Sequence, residues 1–378
     1  MRTLSMMRAT ETLGFEVHFI LLPSRQMGEC DIPRHVAEFP ERFHLLKRPR
    51  LANASYLAQR ATLKSFRKLT RTTVRLSNVD ETYLEGFAAQ ITQIDLAQRF
   101  DIAIVEYVSF SKALLSFRKA VHKVIDTHDS FEGQLTRSEE RRGLIRADTI
   151  FAIQEREAEI FRALLATDSD KVTTVSHFIE AKDIVDTQTC GGAAFIGSSF
   201  VQNNISLSWF IEKVLPLVLE QEPHFTLTVA GSVGQDVPDA PAVKKIGRVQ
   251  KFQDAFLRAP ILVNCITVGT GIKIKLLEAF GAGIPVVSTE LGVEGIPPRF
   301  LSGTTVVPNN DPQAFADAVV EMVRSPTKRA EMSMLNAKIR NEWNKKQLHN
   351  LACALDRFTG NELDDMSKDE QAQRSRGT

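Results

Sequence analysis

The residues best suited to chemistry in this 378-residue sequence lie in one short run, Gly269-Thr270-Gly271-Ile272-Lys273-Ile274-Lys275-Leu276-Leu277-Glu278. A β-branched stretch, Ile261–Ile266, precedes the glycines; a helical stretch, Leu276–Gly283, and a second apolar run, Ile284–Ser288, follow. Backbone amides at a glycine turn, together with the first turn of a helix, form an anion site. Lys273 and Lys275 add positive charge beside it, and a diphosphate is the natural guest. Glu278 lies too far along the helix to share the phosphates, but it can accept hydrogen bonds from ribose hydroxyls. The same letters also fit a glycine-terminated turn with two solvated lysines and a surface glutamate, since strand–turn–helix units are common in α/β folds. A Walker loop is excluded, because Ile274 follows Lys273 where Ser or Thr would hold a metal.

Three other places carry titratable groups. His128 follows the strand candidate Val121–Ile125, where open α/β sheets place ligands. It can orient a substrate or act as a base, with Asp126 or Asp129 fixing its tautomer, or it can simply satisfy a strand-end backbone group. Glu106 ends another strand candidate, Asp101–Tyr107, and reads equally as an ordinary strand terminus. Asp168-Ser169-Asp170 sits in a helix-to-strand connection and reads as a cap and turn rather than a metal site. Residues 41–75 carry ten Lys/Arg against the single acid Glu41, a difference of +9. A solvated basic helix is one reading of that excess, and docking on an anionic membrane or a lipid-linked acceptor is another. Nucleic acid comes last, because no recognition motif accompanies the charge.

Short β-branched runs alternating with helical stretches must position these groups, which is the rhythm of βαβ units and a mainly parallel sheet. The other strand candidates are Phe15–Leu22, Lys171–Ser176, Ala193–Gly197, Phe225–Ala230, Val243–Gly247 and Thr304–Val307. Helices are expected over Thr3–Leu13, Asn53–Leu69, Gln154–Thr167, Ser206–Gln221 (bent at Pro216) and Asp311–Arg324, with Asp311 as cap. The pattern breaks at Asp186–Gly192, which divides a domain over 1–188 from one over 189–345. A C-terminal helix over 346–360 and a disordered tail over 361–378 are expected to follow. Lys plus Arg number 47 against 46 Asp plus Glu, so the net charge of +1 excludes a polybasic or polyacidic protein. The four cysteines are far apart, which argues against a disulfide scaffold or zinc cluster and for a reducing compartment. No apolar stretch approaches the roughly 20 residues of a membrane helix, and no secretory h-region opens the chain. A cytoplasmic two-domain protein is expected.

The run from Gly269 to Ser288, with Gly292-Val293-Glu294-Gly295 after it, closely resembles the C-terminal signature of the group 1 (family four type) glycosyltransferases of GT-B fold. Phe195-Ile196-Gly197-Ser198 with Asn203 and Trp209, Thr228-Val229-Ala230-Gly231, Gly247-Arg248-Val249 and Asp126-Thr127-His128-Asp129 agree with that family in order and spacing. The resemblance covers residues 11–345. It implies two Rossmann-like domains facing each other across a cleft, with a nucleotide-diphosphate sugar on the C-terminal one and the acceptor on the N-terminal one. Under it, Glu278 binds ribose, Lys273 and Lys275 bind the diphosphate, and Gly269, Thr270 and Gly271 form the turn that approaches it. Glu294 lines the base or ribose end, Gly197 and Ser198 cap the phosphates, Arg248 lies near the base, and His128 is the catalytic candidate.

Fixed cations and helix amides aimed at a leaving diphosphate need no metal. No cofactor is therefore expected beyond the sugar donor as cosubstrate. The expected partners are that donor and a glycan or lipid-linked acceptor, without nucleic acid and with peripheral contact to anionic membrane through 41–75. Three departures from the family pattern stand. Thr270 occupies the place, eight before Glu278, where retaining relatives carry a second glutamate, which leaves the stereochemical outcome open. The family's opening strand and glycine-rich loop are not seen ahead of the first helix, so the N-terminal domain is expected to lack its first strand. A further strand expected between Ser176 and Ala193 is also missing. The rival readings are a catalytically degenerate nucleotide-sugar-binding protein and a nucleotide-sugar epimerase of the same fold.

Overall fold

The computed structural model describes residues 2–23, 32–48, 78–81, 83–84, 86–131, 134–235, 237, 239–269 and 271–356. The expected helix over Asn53–Leu69, most of the basic stretch 41–75, Thr270 and the 361–378 tail lie outside the described residues. Two compact units form, one from Thr3–Ser176 with the chain from Asn350 onward, the other from His177–His349.

The N-terminal unit runs α1 (Arg2–Thr12), β1 (Phe19–Leu21), α2 (Ile32–Glu38), β2 (Phe43–Leu45), α3 (Phe87–Gln98), β3 (Ile102–Glu106) and β4 (His122–Thr127). It continues through α4 (Arg137–Leu144), β5 (Thr149–Ala152), α5 (Glu155–Leu165) and β6 (Val172–Thr174). β1 and β2 pair as a parallel two-stranded sheet, and β3-β4-β5-β6 form a parallel four-stranded sheet. Val124, Ile125, Ile150 and Phe151 are fully buried, as central parallel strands covered on both faces require. β2 and β5 are not among the strand candidates that the sequence offers.

The C-terminal unit runs β7 (Gly192–Ile196), α6 (Val201–Trp209), α7 (Leu215–Gln221), β8 (Thr226–Ala230), β9 (Val243–Gly247) and β10 (Leu262–Asn264). α8 (Ile274–Gly281), β11 (Val286–Thr289), β12 (Thr304–Val307), α9 (Pro312–Arg324) and α10 (Pro326–Ala354) complete it, the last turn of α10 belonging with the N-terminal unit. All six strands are parallel, in the order β12-β11-β10-β7-β8-β9. Successive side chains of β7 feed opposite cores. Ala193 and Phe195 pack with Leu207, Phe210, Val229 and Phe315, whereas Ala194 packs with Leu262, Leu276, Phe280 and Val286. Burying each of the larger side chains contributes about 1.5–3 kcal/mol.

The expected bend at Pro216 is realised as a π turn, Phe210–Val214, between α6 and α7. A proline lacks the N–H for an i→i−4 bond and crowds the carbonyl it would meet, and the wider turn absorbs both. The units divide after Ser176, ahead of the expected Asp186–Gly192. The segment from His177 on is fastened to the C-terminal unit by side chains of α10. Trp343 Nε1 donates to the His177 carbonyl at 2.8 Å, and Arg329, 1% exposed, donates to the carbonyls of Thr187 and Gln188 at 2.7 and 2.8 Å. Composition alone could not show those anchors, because they come from residues more than a hundred positions away.

Candidate functional site

The strand order of the C-terminal unit reverses between β7 and β10, since β8 and β9 extend to one side and β11 and β12 to the other. The carboxyl ends of two strands that diverge in this way leave a crevice where open α/β sheets bind ligands. Gly197 and Ser198 leave β7 there, and the turn of Gly269 and Gly271 follows β10 and delivers the chain into α8. Gly269 and Gly271 hold φ of +109° and +83°, a left-handed conformation that a side chain would strain. The loop after β8 closes on the same place. Gly231 has φ +92°, and a Cβ there would lie 2.1 Å from the Gly197 carbonyl oxygen.

The two lysines contact this turn and the loop after β7. The Lys273 ammonium donates back to the Gly271 carbonyl. Lys275 reaches the other loop, donating to Asn203 Oδ1 at 3.1 Å, while Asn203 Nδ2 donates to the Ser198 carbonyl at 2.9 Å. Its ammonium also lies over the Phe195 ring, 4.1 Å from the centroid. Burial, with the like charge of Lys273 adding to it, lowers the Lys275 pKa to about 8. One turn further along α8, Glu278 is half-buried and its carboxylate makes no hydrogen bond or ion pair among the described residues. Burial raises its pKa, Lys182 opposes that shift and Glu180 adds to it. A carboxylate held out of water without a donor is costly on its own, and a ligand bearing hydroxyls would satisfy it.

The remaining sequence candidates sit around the same sheet end. Arg248 follows β9 at its carboxyl end and is exposed, with no partner among the described residues. Glu294 is half-buried where the short turn Leu291–Val293 after β11 ends. Sequence reasoning did not assign roles to Phe195, Asn203 and Lys182. Phe195 and Asn203 left a signal, by their place in the family-like opening segment, and Lys182 left none.

In the N-terminal unit, parallel register sets Glu106 of β3 beside Asp126 of β4, two residues before His128. His128 Nε2 lies 2.5 Å from Glu106 Oε2 and 3.9 Å from Asp126 Oδ2, so Glu106 comes closer to the ring than Asp126, one of the two expected partners, Asp126 or Asp129. The ring of Tyr107 packs 4.2 Å from that of His128, and Tyr107 has φ +64°. A bulky residue in that region costs on the order of 1–3 kcal/mol, strain characteristic of functional sites. Ligand atoms of Glu106, Asp126 and His128 all lie within 4.8 Å of one another. Such a trio can serve as an acid–base pair with a buried neighbour, and it can also ligate a cation.

Both units therefore define a protein of the Rossmann-like parallel α/β class, with a basic glycine turn at the switch point of the C-terminal sheet. Residues 192–325 match the family model "Glycosyl transferases group 1", in keeping with the resemblance its signature residues carry. A curated relative, "Uncharacterized 44.6 kDa protein in cps region" of Klebsiella pneumoniae, is 30% identical over 151 residues, 36% of this chain and 38% of that protein. Among solved structures, a point mutant of S. aureus TarM in complex with Fondaparinux, alpha-GlcNAc-glycerol and UDP is 15% identical. It matches at a TM-score of 0.56 over 71% of this chain and 58% of its own. Anabaena Alr3699/HepE in complex with UDP-glucose, 12% identical, matches at 0.56 over 89% of this chain and 99% of its own. These likenesses establish the GT-B type of fold. The chain spans only part of the Klebsiella and TarM relatives. Among the described residues no helix is long and apolar enough to cross a membrane.

Proposed function

We propose that this chain transfers a hexosyl group from a nucleotide-diphosphate sugar to an acceptor hydroxyl, with the donor bound at the carboxyl ends of β7 and β10. The observation that carries the reading is the half-buried Glu278 carboxylate, without a hydrogen-bond partner among the described residues, one turn beyond Lys275 in the helix that follows the switch-point turn, whose glycines are in left-handed conformations. Ribose hydroxyls satisfy the carboxylate. Lys273, Lys275 and the first amides of α8 neutralise the charge that builds on the departing diphosphate. This arrangement supplies the leaving-group stabilisation without a metal. His128, held by Glu106, orients the sugar or takes the acceptor proton.

The fold shared with HepE in complex with UDP-glucose, and the relative from a cps region, support a role in glycan or polysaccharide assembly, with a glycan or lipid-linked acceptor. The +9 excess of residues 41–75 favours an anionic acceptor or membrane on the cytoplasmic side.

Calorimetric titration with nucleoside diphosphate, paired with a transfer assay, tests the reading. Glu278→Ala and Lys273→Ala should each weaken binding about 10- to 100-fold, the worth of a hydrogen bond to a charged group. His128→Ala should abolish transfer with donor affinity retained. Full affinity in both site variants would remove the assignment. Binding without turnover over a broad acceptor panel would mark a binding protein, and an altered sugar released without acceptor would mark an epimerase. Loss of activity with a chelator, restored by a divalent ion, would give Glu106, Asp126 and His128 to a metal instead.

A further inference from the structure

We propose that Glu106, Asp126 and His128 form an inhibitory zinc site in the N-terminal unit, at which the bound ion takes the His128 ring out of action. The inhibition rests on the function proposed above, whereas binding of the ion does not. Parallel register places Glu106 directly beside Asp126 at the carboxyl ends of β3 and β4. Tyr107 N–H donates to the Asp126 carbonyl at 2.9 Å, which ties the two strand ends together. His128 follows two positions after Asp126 and brings its ring to the same strand ends.

The separations of 2.5 Å from His128 Nε2 to Glu106 Oε2 and 3.9 Å to Asp126 Oδ2 bracket what an ion needs. Bonds of about 2.0–2.2 Å in a tetrahedron set zinc ligands about 3.3–3.5 Å apart. Opening the His128–Glu106 contact by about 0.9 Å and drawing Asp126 in by about 0.5 Å reaches that spacing, within the range of side-chain rotation. The Asp126 side chain is fully buried, while those of Glu106 and His128 are 30% and 18% exposed, so the trio has a closed back and an open side. Three protein ligands with the fourth position left to water is the open form of a zinc site. One imidazole with two carboxylates suits zinc, whereas magnesium demands an octahedron of oxygens.

Zinc and catalysis compete for one atom. The hydrogen bond between His128 Nε2 and Glu106 holds a single proton. Zinc takes the Nε2 lone pair and one oxygen from each carboxylate, and that proton leaves to solvent. With its lone pair on the ion, the ring can neither accept the proton of the attacking hydroxyl nor turn to orient a sugar. In the proposed transfer Lys273, Lys275 and the amides of α8 meet the charge on the leaving group, so the reaction needs the ring free rather than an ion upon it.

Titration calorimetry of the 378-residue chain with zinc chloride, in a buffer that does not chelate, tests the site. Glu106→Gln, Asp126→Asn and His128→Ala should each weaken binding at least about 10-fold, no less than the loss of an outer-shell partner does at known metal sites. Zinc affinity undiminished by all three would place the ion elsewhere and overturn the proposal. If a variant fails to fold, cobalt bound to the unsubstituted chain decides. Intense visible bands of a four-coordinate site support the trio, and the pale spectrum of a six-coordinate ion refutes it. In the transfer assay, with donor in large excess over zinc so that its diphosphate cannot sequester the ion, half-inhibition should fall at the calorimetric Kd and EDTA should restore the rate. Zinc that binds without slowing transfer, or a rate that EDTA lowers, would overturn the inhibition. If no acceptor supports transfer, that failure falls on the proposed function. The His128 Nε2 resonance of protein carrying isotope-labelled histidine then decides, since it must move as zinc is added, and a resonance that stays in place refutes the site.

Discussion

Lys275 carries the largest burden at the residue scale, because its ammonium is buried over Phe195, bonded to Asn203 and aimed at the switch point. Its pKa of about 8 means that the charge proposed to attract a diphosphate is present below that pH and is lost as pH rises through it. Nucleoside diphosphate affinity is therefore expected to fall by up to tenfold per pH unit above about 8. Lys275→Met should bind about 10- to 100-fold more weakly at pH 7 and show no such step; a step that persists in the variant would assign it to another group. His128 shows how chemistry at this scale depends on neighbours. Its own motif offers Asp126 and Asp129, yet the carboxylate that meets the ring comes from Glu106 on the adjacent strand.

Local rules held best at the scale of elements. Asp311 accepts from Ala314 N–H at 3.0 Å, with Pro312 at the first turn of α9, as the letters indicated. Asp311→Ala should destabilise the C-terminal unit by about 0.5–2 kcal/mol, and Asp311→Asn by much less, read as a shift in urea midpoint at constant slope. Pro216 bent its helix for a reason the residue carries with it. The short strands β2 and β5 were invisible, because they exist only by pairing with β1 and β4.

Binding and stability are linked at the scale of the whole molecule. Nucleoside diphosphate at about 100 times its Kd should stabilise the folded C-terminal unit by roughly 2.7 kcal/mol. That gain should appear as slower exchange of the β7 and α8 core amides, and no change at saturation would contradict donor binding there. The sequence by itself determined the alternation of strands and helices, the glycine turn with its lysines and Glu278, and the family resemblance of residues 192–325, because each depends on residues close together in the chain. Tertiary structure alone decided that Glu106 meets His128 and that the units part after Ser176. Those facts depend on which distant backbones lie side by side, and nearest-neighbour chemistry along a chain does not encode that.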